Sequence, residues 1–391
     1  MSVNFDRVID RKNTCCIKYD CAEKRGKPAD ILPMWVADMD FPTAPAVVDA
    51  LREVVDFGIY GYTDYDDSYV EAVQNWFGTR FGWKPEAEWL TITPGVVCAV
   101  AAAVRAFTNE GEGVLIQTPV YYPFGEAIRG NGRRVVENPL VLRDGRYTMD
   151  FEDLENKILS EKVRLLILCS PHNPVGRVWN RDELTRLGDL CHKYGVVVIS
   201  DEIHCDFTYP GITHTVLCSL KKEYEENVVT CTAPSKTFNL AGLQHSNIFI
   251  PNPELRARYQ KVLNELHIDN VGIMGLAACR AAYRHGAPWL EELKAYLASN
   301  LDYMREFIRT RLPGVRLVEP EGTYLVWVDF RELDLSPDAL EDLMVNKCRL
   351  WLDRGNMFGQ AGEGFERFNI ACPRATLEEA LTRVEKALKE L

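Results

Sequence analysis

"VRLLILCSP", Val163 to Pro171, runs apolar almost without interruption and stops on a turn-forming Ser-Pro pair. A strand exposed on one face would alternate polar and apolar residues; a continuous run is what a strand buried on both faces needs. Just downstream, "DELTRLGDLCHKYG" (Asp182–Gly195) has helical periodicity, with Gly195 as its stop, and "VVVISDEIH" (Val196–His204) is a second buried strand. Outward from there the pattern repeats. "WLTIT" (Trp89–Thr93) reads as a strand, "GVVCAVAAAVRAFT" (Gly95–Thr108) as the helix after it, and "GVLIQTP" (Gly113–Pro119), "NVVTCTAP" (Asn227–Pro234) and "HSNIFIPN" (His245–Asn252) as further strands. Strand and helix in alternation imply an α/β domain on a mostly parallel sheet, with ligands at the carboxyl ends of its strands.

The rest of the chain reads differently. "WLEELKAYLASNLDYMREFIRTRL" (Trp289–Leu312) is one long helix, followed by "VRLVEP", "TYLVWVDF", a helix near Pro337–Lys347, "RFNIACP" and a closing helix. The expected organisation is a large α/β domain over 46–286 and a smaller α+β domain formed by 1–45 and 287–391. At 391 residues the chain exceeds what one core usually serves.

Composition narrows the function. Hydrophobic content of 47% with 26% charged residues is globular, and a net charge of -12 speaks against a nucleic-acid or anionic-membrane surface. Twelve scattered cysteines in a long chain, with no Cys-x-x-Cys and no His-Glu-x-x-His, favour reduced thiols over disulfides and no metal site. The opening "MSVNFDRVIDRKN" has no apolar core for a signal peptide, and "GVVCAVAAAV" is too short to span a bilayer, so a cytoplasmic location is expected. Neither Gly-x-Gly-x-x-Gly nor a Walker lysine loop is present.

Chemistry-bearing side chains gather where the buried runs end. Tyr121 and Tyr122 follow "VLIQTPV", Asn173 follows "LLILCSPH", Asp201 and His204 end "VVVISDEIH", and Lys236 follows "VVTCTAPS". Each alone has a plain structural reading: a helix cap for Asp201, a turn for Asn173-Pro174, partial core for the tyrosines, a surface loop for Lys236. Together they sit at four strand ends of one sheet. A lysine enclosed by apolar groups loses proton affinity and becomes a nucleophile able to form a Schiff base.

The order Tyr121, Asn173, Asp201, Lys236, Arg367, with "SPHNPVGRVW" and "APSKTFNLAGL", resembles the fold-type I pyridoxal 5'-phosphate enzymes of the aspartate aminotransferase superfamily, over essentially the whole chain. The resemblance implies a PLP-dependent transferase-like α/β fold with a seven-stranded-type sheet and pyridoxal 5'-phosphate as cofactor. It makes Lys236 the Schiff-base lysine, Asp201 the partner of the pyridinium nitrogen, Asn173 a donor to the ring's phenolic oxygen and Tyr121 the group stacked on the ring. The phosphate would lie on Gly95, Val96 and Val97, whose backbone N–H groups open a helix after a strand, with Ser235 adding a hydroxyl. Ala233 and Gln244 stand where such enzymes often carry a serine and an arginine, a departure at the phosphate. Arg367 aligns with the arginine that grips the substrate carboxylate, a task suited to a planar fork; Arg374 is its competitor.

"LPMWVADMDFPTAPAVVDAL" (Leu32–Leu51) with "GIYGYT" (Gly58–Thr63) and "SDEIHCDF" is similar to the carbon–sulfur lyase subgroup, the cystathionine β-lyases of the MalY/PatB type. His204 stands where ordinary aminotransferases place a tyrosine. Val36 and Ala37 are expected beside the substrate carboxylate, Tyr122 on the substrate side, and Tyr62 at the cofactor phosphate of a neighbouring subunit, with Tyr60 as the alternative. That implies a homodimer with shared sites and small amino-acid substrates. The implied reaction is β-elimination: Lys236 takes the α-proton, a thiolate leaves with a proton from Lys236 or Tyr121, and L-cystathionine yields homocysteine, pyruvate and ammonia. Transamination uses the same lysine, aspartate and arginine and is the alternative; a regulatory protein that merely binds the cofactor is a third reading, with no sequence feature in its favour.

Overall fold

A computed structural model describes residues 3–391 of the chain. Seven strands form its main sheet: β1 (Leu90–Thr93), β2 (Gly113–Ile116), β3 (Arg134–Glu137), β4 (Leu165–Cys169), β5 (Val197–Asp201), β6 (Val228–Thr232) and β7 (Ser246–Phe249). Their spatial order is β1-β7-β6-β5-β4-β2-β3. All neighbouring pairs are parallel except those of β7, which runs antiparallel to β1 and β6. The chain returns from Thr232 to Ser246 at the same end of the sheet, so β7 has to reverse direction. This reversal holds Lys236 at the carboxyl end of β6.

The apolar runs are buried on both faces, as their sequence requires. Leu166, Leu168 and Val198 join one hydrophobic cluster, while Leu165, Ile167, Ile199 and Val229 join the other. The two-residue period of a strand sends successive side chains to opposite faces, so a helix layer must cover each. One of the covering helices, α1 (Val96–Phe107), follows β1 directly. Another, α2 (Arg181–Lys193), starts on a capping box in which Asn180 and Glu183 satisfy each other's backbone N–H, and it ends just before Gly195 at φ 63°.

A second sheet, in the order β8-β9-β11-β10, is antiparallel throughout: β8 (Arg316–Leu317), β9 (Leu325–Asp329), β10 (Asp353–Arg354) and β11 (Phe365–Asn369). The long helix expected at 289–312 is α3, Ala287–Arg311. The helix expected near 337–347 is α-helical only over Pro337–Asp342 and widens into a π-turn over Leu343–Lys347. The amino-terminal segment joins this region: Leu32 and Pro33 pair in parallel with Leu350 and Trp351, and Trp35 stacks on Trp351 with ring centres 4.3 Å apart. Among the described residues no helix is long and apolar enough to cross a membrane, and no cluster of three or more metal-ligating side chains occurs. All twelve cysteines are free thiols.

Candidate active site

At the carboxyl ends of β1, β2, β4, β5 and β6 lies a cavity of about 240 Å³. Tyr121, Asn173, Asp201, His204, Ser235 and Lys236 line it, together with Ala37 and the Gly95–Val97 turn. Five widely separated stretches thus meet because each follows a parallel strand ending on the same side of the sheet. Gly95 supplies the turn at φ 91°, a conformation open to glycine and costly for other residues, and α1 begins at once behind it with free backbone N–H groups directed outward.

Lys236 is largely enclosed, and its Nζ donates to the Ala37 carbonyl at 2.7 Å. Burial is the chief force on its amine, with the nearby Arg367 charge adding to it; Asp38 and Asp201 oppose, and the pKa falls to about 8. Asp201 is pushed the other way, to about 7, chiefly by burial, against the Ile203 N–H that it accepts at 3.1 Å and the Lys236 charge. His204 is held well below the ordinary histidine range by burial, then by the Lys236 and Arg367 charges, so it is neutral; its Nδ1 is buried without a partner. The Tyr121 phenol is shifted upward, mainly by burial, and stays protonated.

Arg367, on β11, is directly opposite Asp353 on β10, so the two side chains leave the sheet on one face as a cross-strand ion pair. Its Nη1 donates to Asn173 Oδ1 at 2.9 Å and its Nη2 to the Trp35 carbonyl at 2.8 Å. The guanidinium lies over the Phe358 ring, and its Nε is buried with no partner. Arg367 is therefore no surface salt bridge. Arg374 points elsewhere, donating from Nε to Asn300 and from Nη2 to Ser299.

The remaining expected residues divide. Ala37 enters the cavity, whereas the Val36 side chain packs against the small cluster of Ala22, Ile31, Trp35, Val345 and Trp351. Tyr122 lies beside Tyr121 and edge-on to Phe358, near Arg367, without lining the cavity itself. Tyr60 and Tyr62 are exposed on the surface, Tyr62 completely, next to exposed Val55, Phe57 and Ile59. Gln244, at φ 48°, and Ala233 occupy the two departures from the expected phosphate pattern; Gln244 lines the cavity and Ala233 is buried. Cys169, His245, Asp353 and Tyr324 are contributions that the sequence reading missed. Cys169 carries a faint signal as the last residue of β4. The others act through partners far away in the chain, which no local pattern reveals.

The unsatisfied groups match pyridoxal 5'-phosphate. A buried carboxylate with one hydrogen bond suits a protonated ring nitrogen, and a helix start with free N–H groups suits a dianion. The enclosed lysine faces a carbonyl that it can leave. The buried and unpartnered Arg367 Nε suits a carboxylate.

Comparison with known proteins agrees with this geometry. The family described as aminotransferase class I and II matches residues 29–384. Cystathionine beta-lyase PatB of Bacillus subtilis is 44% identical over 99% of this chain and 100% of its own length. Cystalysin from Treponema denticola, whose structure contains pyridoxal 5'-phosphate, superposes with a TM-score of 0.97 at 39% identity, covering 100% of both chains. The PLP-bound C-S lyase from Staphylococcus hominis gives a TM-score of 0.93 at 34% identity, covering 99% of this chain and 98% of that one.

Proposed function

The chain belongs to the aminotransferase class I and II family, and from that premise we propose that it is a pyridoxal 5'-phosphate-dependent carbon–sulfur β-lyase acting on L-cystathionine or related cysteine S-conjugates. The observation that carries the reading is the full-length similarity to a cystathionine β-lyase, together with a cavity lined by Lys236, Asp201 and Asn173, with Arg367 hydrogen-bonded to Asn173 behind it.

Bound pyridoxal phosphate supplies an electron sink for the pair released when the Cα–H bond breaks. The protein's part is to hold and move charge around that event. Arg367, locked by Asp353, binds the substrate carboxylate through the N–H groups its own partners leave over. Asp201 keeps the ring nitrogen protonated, and a cation at that position draws its carboxyl down into the ionised form. Asn173 serves the phenolic oxygen, with its Oδ1 already taken by Arg367, so its amide N–H groups are the ones available. Val96, Val97 and Ser235 would hold the phosphate at the turn made by Gly95, whose own N–H is taken by the Thr93 carbonyl at 2.8 Å. Lys236, with a pKa near 8, takes the α-proton at Nζ. A thiolate is a good leaving group because its conjugate acid has a pKa of about 8.5. Tyr121, protonated through burial, or Lys236 returns a proton to the departing sulfur. With one water consumed, L-cystathionine gives homocysteine, pyruvate and ammonia.

The same reading includes a division into 46–286 and 1–45 with 287–391. The placement of the seven-stranded sheet within 90–249 and of the four-stranded sheet within 316–369 supports it. It also includes a homodimer, supported by the exposed apolar run around Phe57, Ile59 and Tyr62, with Tyr62 reaching the partner's phosphate. A reducing compartment such as the cytoplasm is consistent with twelve free thiols.

The deciding experiment adds L-cystathionine to the purified protein with no oxo acid present. Multiple turnovers of pyruvate and free thiol establish the lyase. A visible absorbance that bleaches once and returns only when an oxo acid is supplied makes it an aminotransferase, the activity that the same lysine, aspartate and arginine also support.

A further inference from the structure

The oxygen that receives Lys236 has a second donor. Tyr324, fully buried at the start of β9, donates its hydroxyl to the Ala37 carbonyl at 3.0 Å, while Lys236 Nζ donates to the same oxygen at 2.7 Å. A carbonyl oxygen has two lone pairs, and here both are taken. The tyrosine ring has no freedom to leave: Phe207 and His204 pack edge-on against it, at 5.0 and 5.9 Å between ring centres. The peptide on either side is pinned as well, because Asn369 Nδ2 donates to the carbonyls of Val36 and Asp38 at 2.6 Å each. Ala37 O is thus the one carbonyl of that turn left facing the amine, and its direction is set by the hydroxyl.

We propose that Tyr324 is a positioning residue for Lys236, its hydroxyl sharing the Ala37 carbonyl with the lysine amine and fixing where that amine rests when it is free. The inference rests on the reading of Lys236 as the reactive amine. The other groups around Lys236 are Arg367 from β11, Asp201 from β5, Asp38 from the 35–40 turn, neutral His204 and protonated Tyr121; Asp38 is shared with Arg11 and Lys18. Two donors converging on one oxygen bring their positive ends together, so the hydroxyl weakens that oxygen's hold on an ammonium. Without it, the carbonyl serves the lysine alone and the amine keeps its proton to higher pH.

The test is Tyr324→Phe, which retains the ring packing. In the full-length chain freed of cofactor, competitive acetylation of Lys236 across pH, read by mass spectrometry, reports the amine's titration. An upward shift of about half a pKa unit is expected, the size of one modest hydrogen bond. In the cofactor-loaded enzyme the rate of α-proton exchange into L-alanine should fall about threefold at pH 7 and converge with the unaltered enzyme at high pH. A titration that is unmoved or moves downward overturns the inference. A crystal structure of the unaltered, cofactor-free chain tests it without any variant: both donors on Ala37 O support it, and either donor elsewhere overturns it. Failure here is distinct from failure of the underlying reading. Were Lys236 not the reactive amine, Lys236→Ala would keep the visible absorbance of the bound cofactor.

Discussion

Two lysines of this molecule are enclosed, and they meet opposite surroundings. Lys18, in the amino-terminal segment, has two carboxylates at hand: Asp40 at 2.8 Å and Asp38 at 3.6 Å, with Arg11 closing a four-charge cluster at 2.7 Å to each aspartate. Lys236, at the end of β6, has a neutral carbonyl as its nearest partner. Enclosure costs both of them hydration, but only Lys18 recovers direct ion pairs. The difference teaches how one residue type serves two ends: matched by carboxylates, a buried ammonium ties chain segments together, and left with a carbonyl, it becomes a base near neutral pH.

Exchanging the roles is the way to break that comparison. Lys236→Ala should lower lyase turnover about 10³-fold or more and abolish the visible absorbance, with urea stability near that of the unaltered protein. Lys18→Met should do the reverse. Leaving Asp40 buried with only Arg11, it is expected to cost about 3 kcal/mol in urea unfolding while the folded fraction turns over within a few-fold of normal. A comparable loss of turnover per folded molecule would sink the idea that Lys18 is structural. Arg367→Lys probes another enclosed cation: a point charge cannot reproduce the fork between Asp353, Asn173 and the Trp35 carbonyl, so KM for the amino acid should rise about thirtyfold with a smaller change in kcat. The mildest perturbation is pH itself. On the proposed mechanism Lys236 works as the neutral amine, so the rate of α-proton removal should climb about tenfold per unit up to a pKa near 8 and level off above it. A profile flat from pH 6 to 9 would contradict the assignment.

How much of this was legible in the sequence follows from where each partner lies. Asp201, Asn173, Tyr121 and Lys236 were readable because each trails its own buried strand, and a continuous apolar run ending in a polar residue is a local signal. Ala37 and Val36 were readable only as a pair, since which of two neighbours faces the cavity depends on the Asn369 bonds that turn the backbone. The reversal of β7 has no sequence mark, because a strand buried on both faces reads alike in either direction. Asp353 and Tyr324 were missed because their importance lies in register: Asp353 matters by standing opposite Arg367, and Tyr324 by reaching an oxygen 287 positions away.

The turn at 35–40 carries a consequence for how the protein is made. The carbonyls of Trp35, Val36, Ala37 and Asp38 are held from Lys236, Tyr324, Arg367 and Asn369, across 199 to 333 positions of chain. Synthesis delivers this turn early and three of these four holders, Tyr324, Arg367 and Asn369, only near the end of the chain. The nascent chain must therefore carry Met34, Trp35 and Met39, all buried in the finished protein, without their final partners for most of translation. Completion of the catalytic cleft coincides with the arrival of β11, so an interrupted polypeptide ending before Asn369 would have a sheet but no working site.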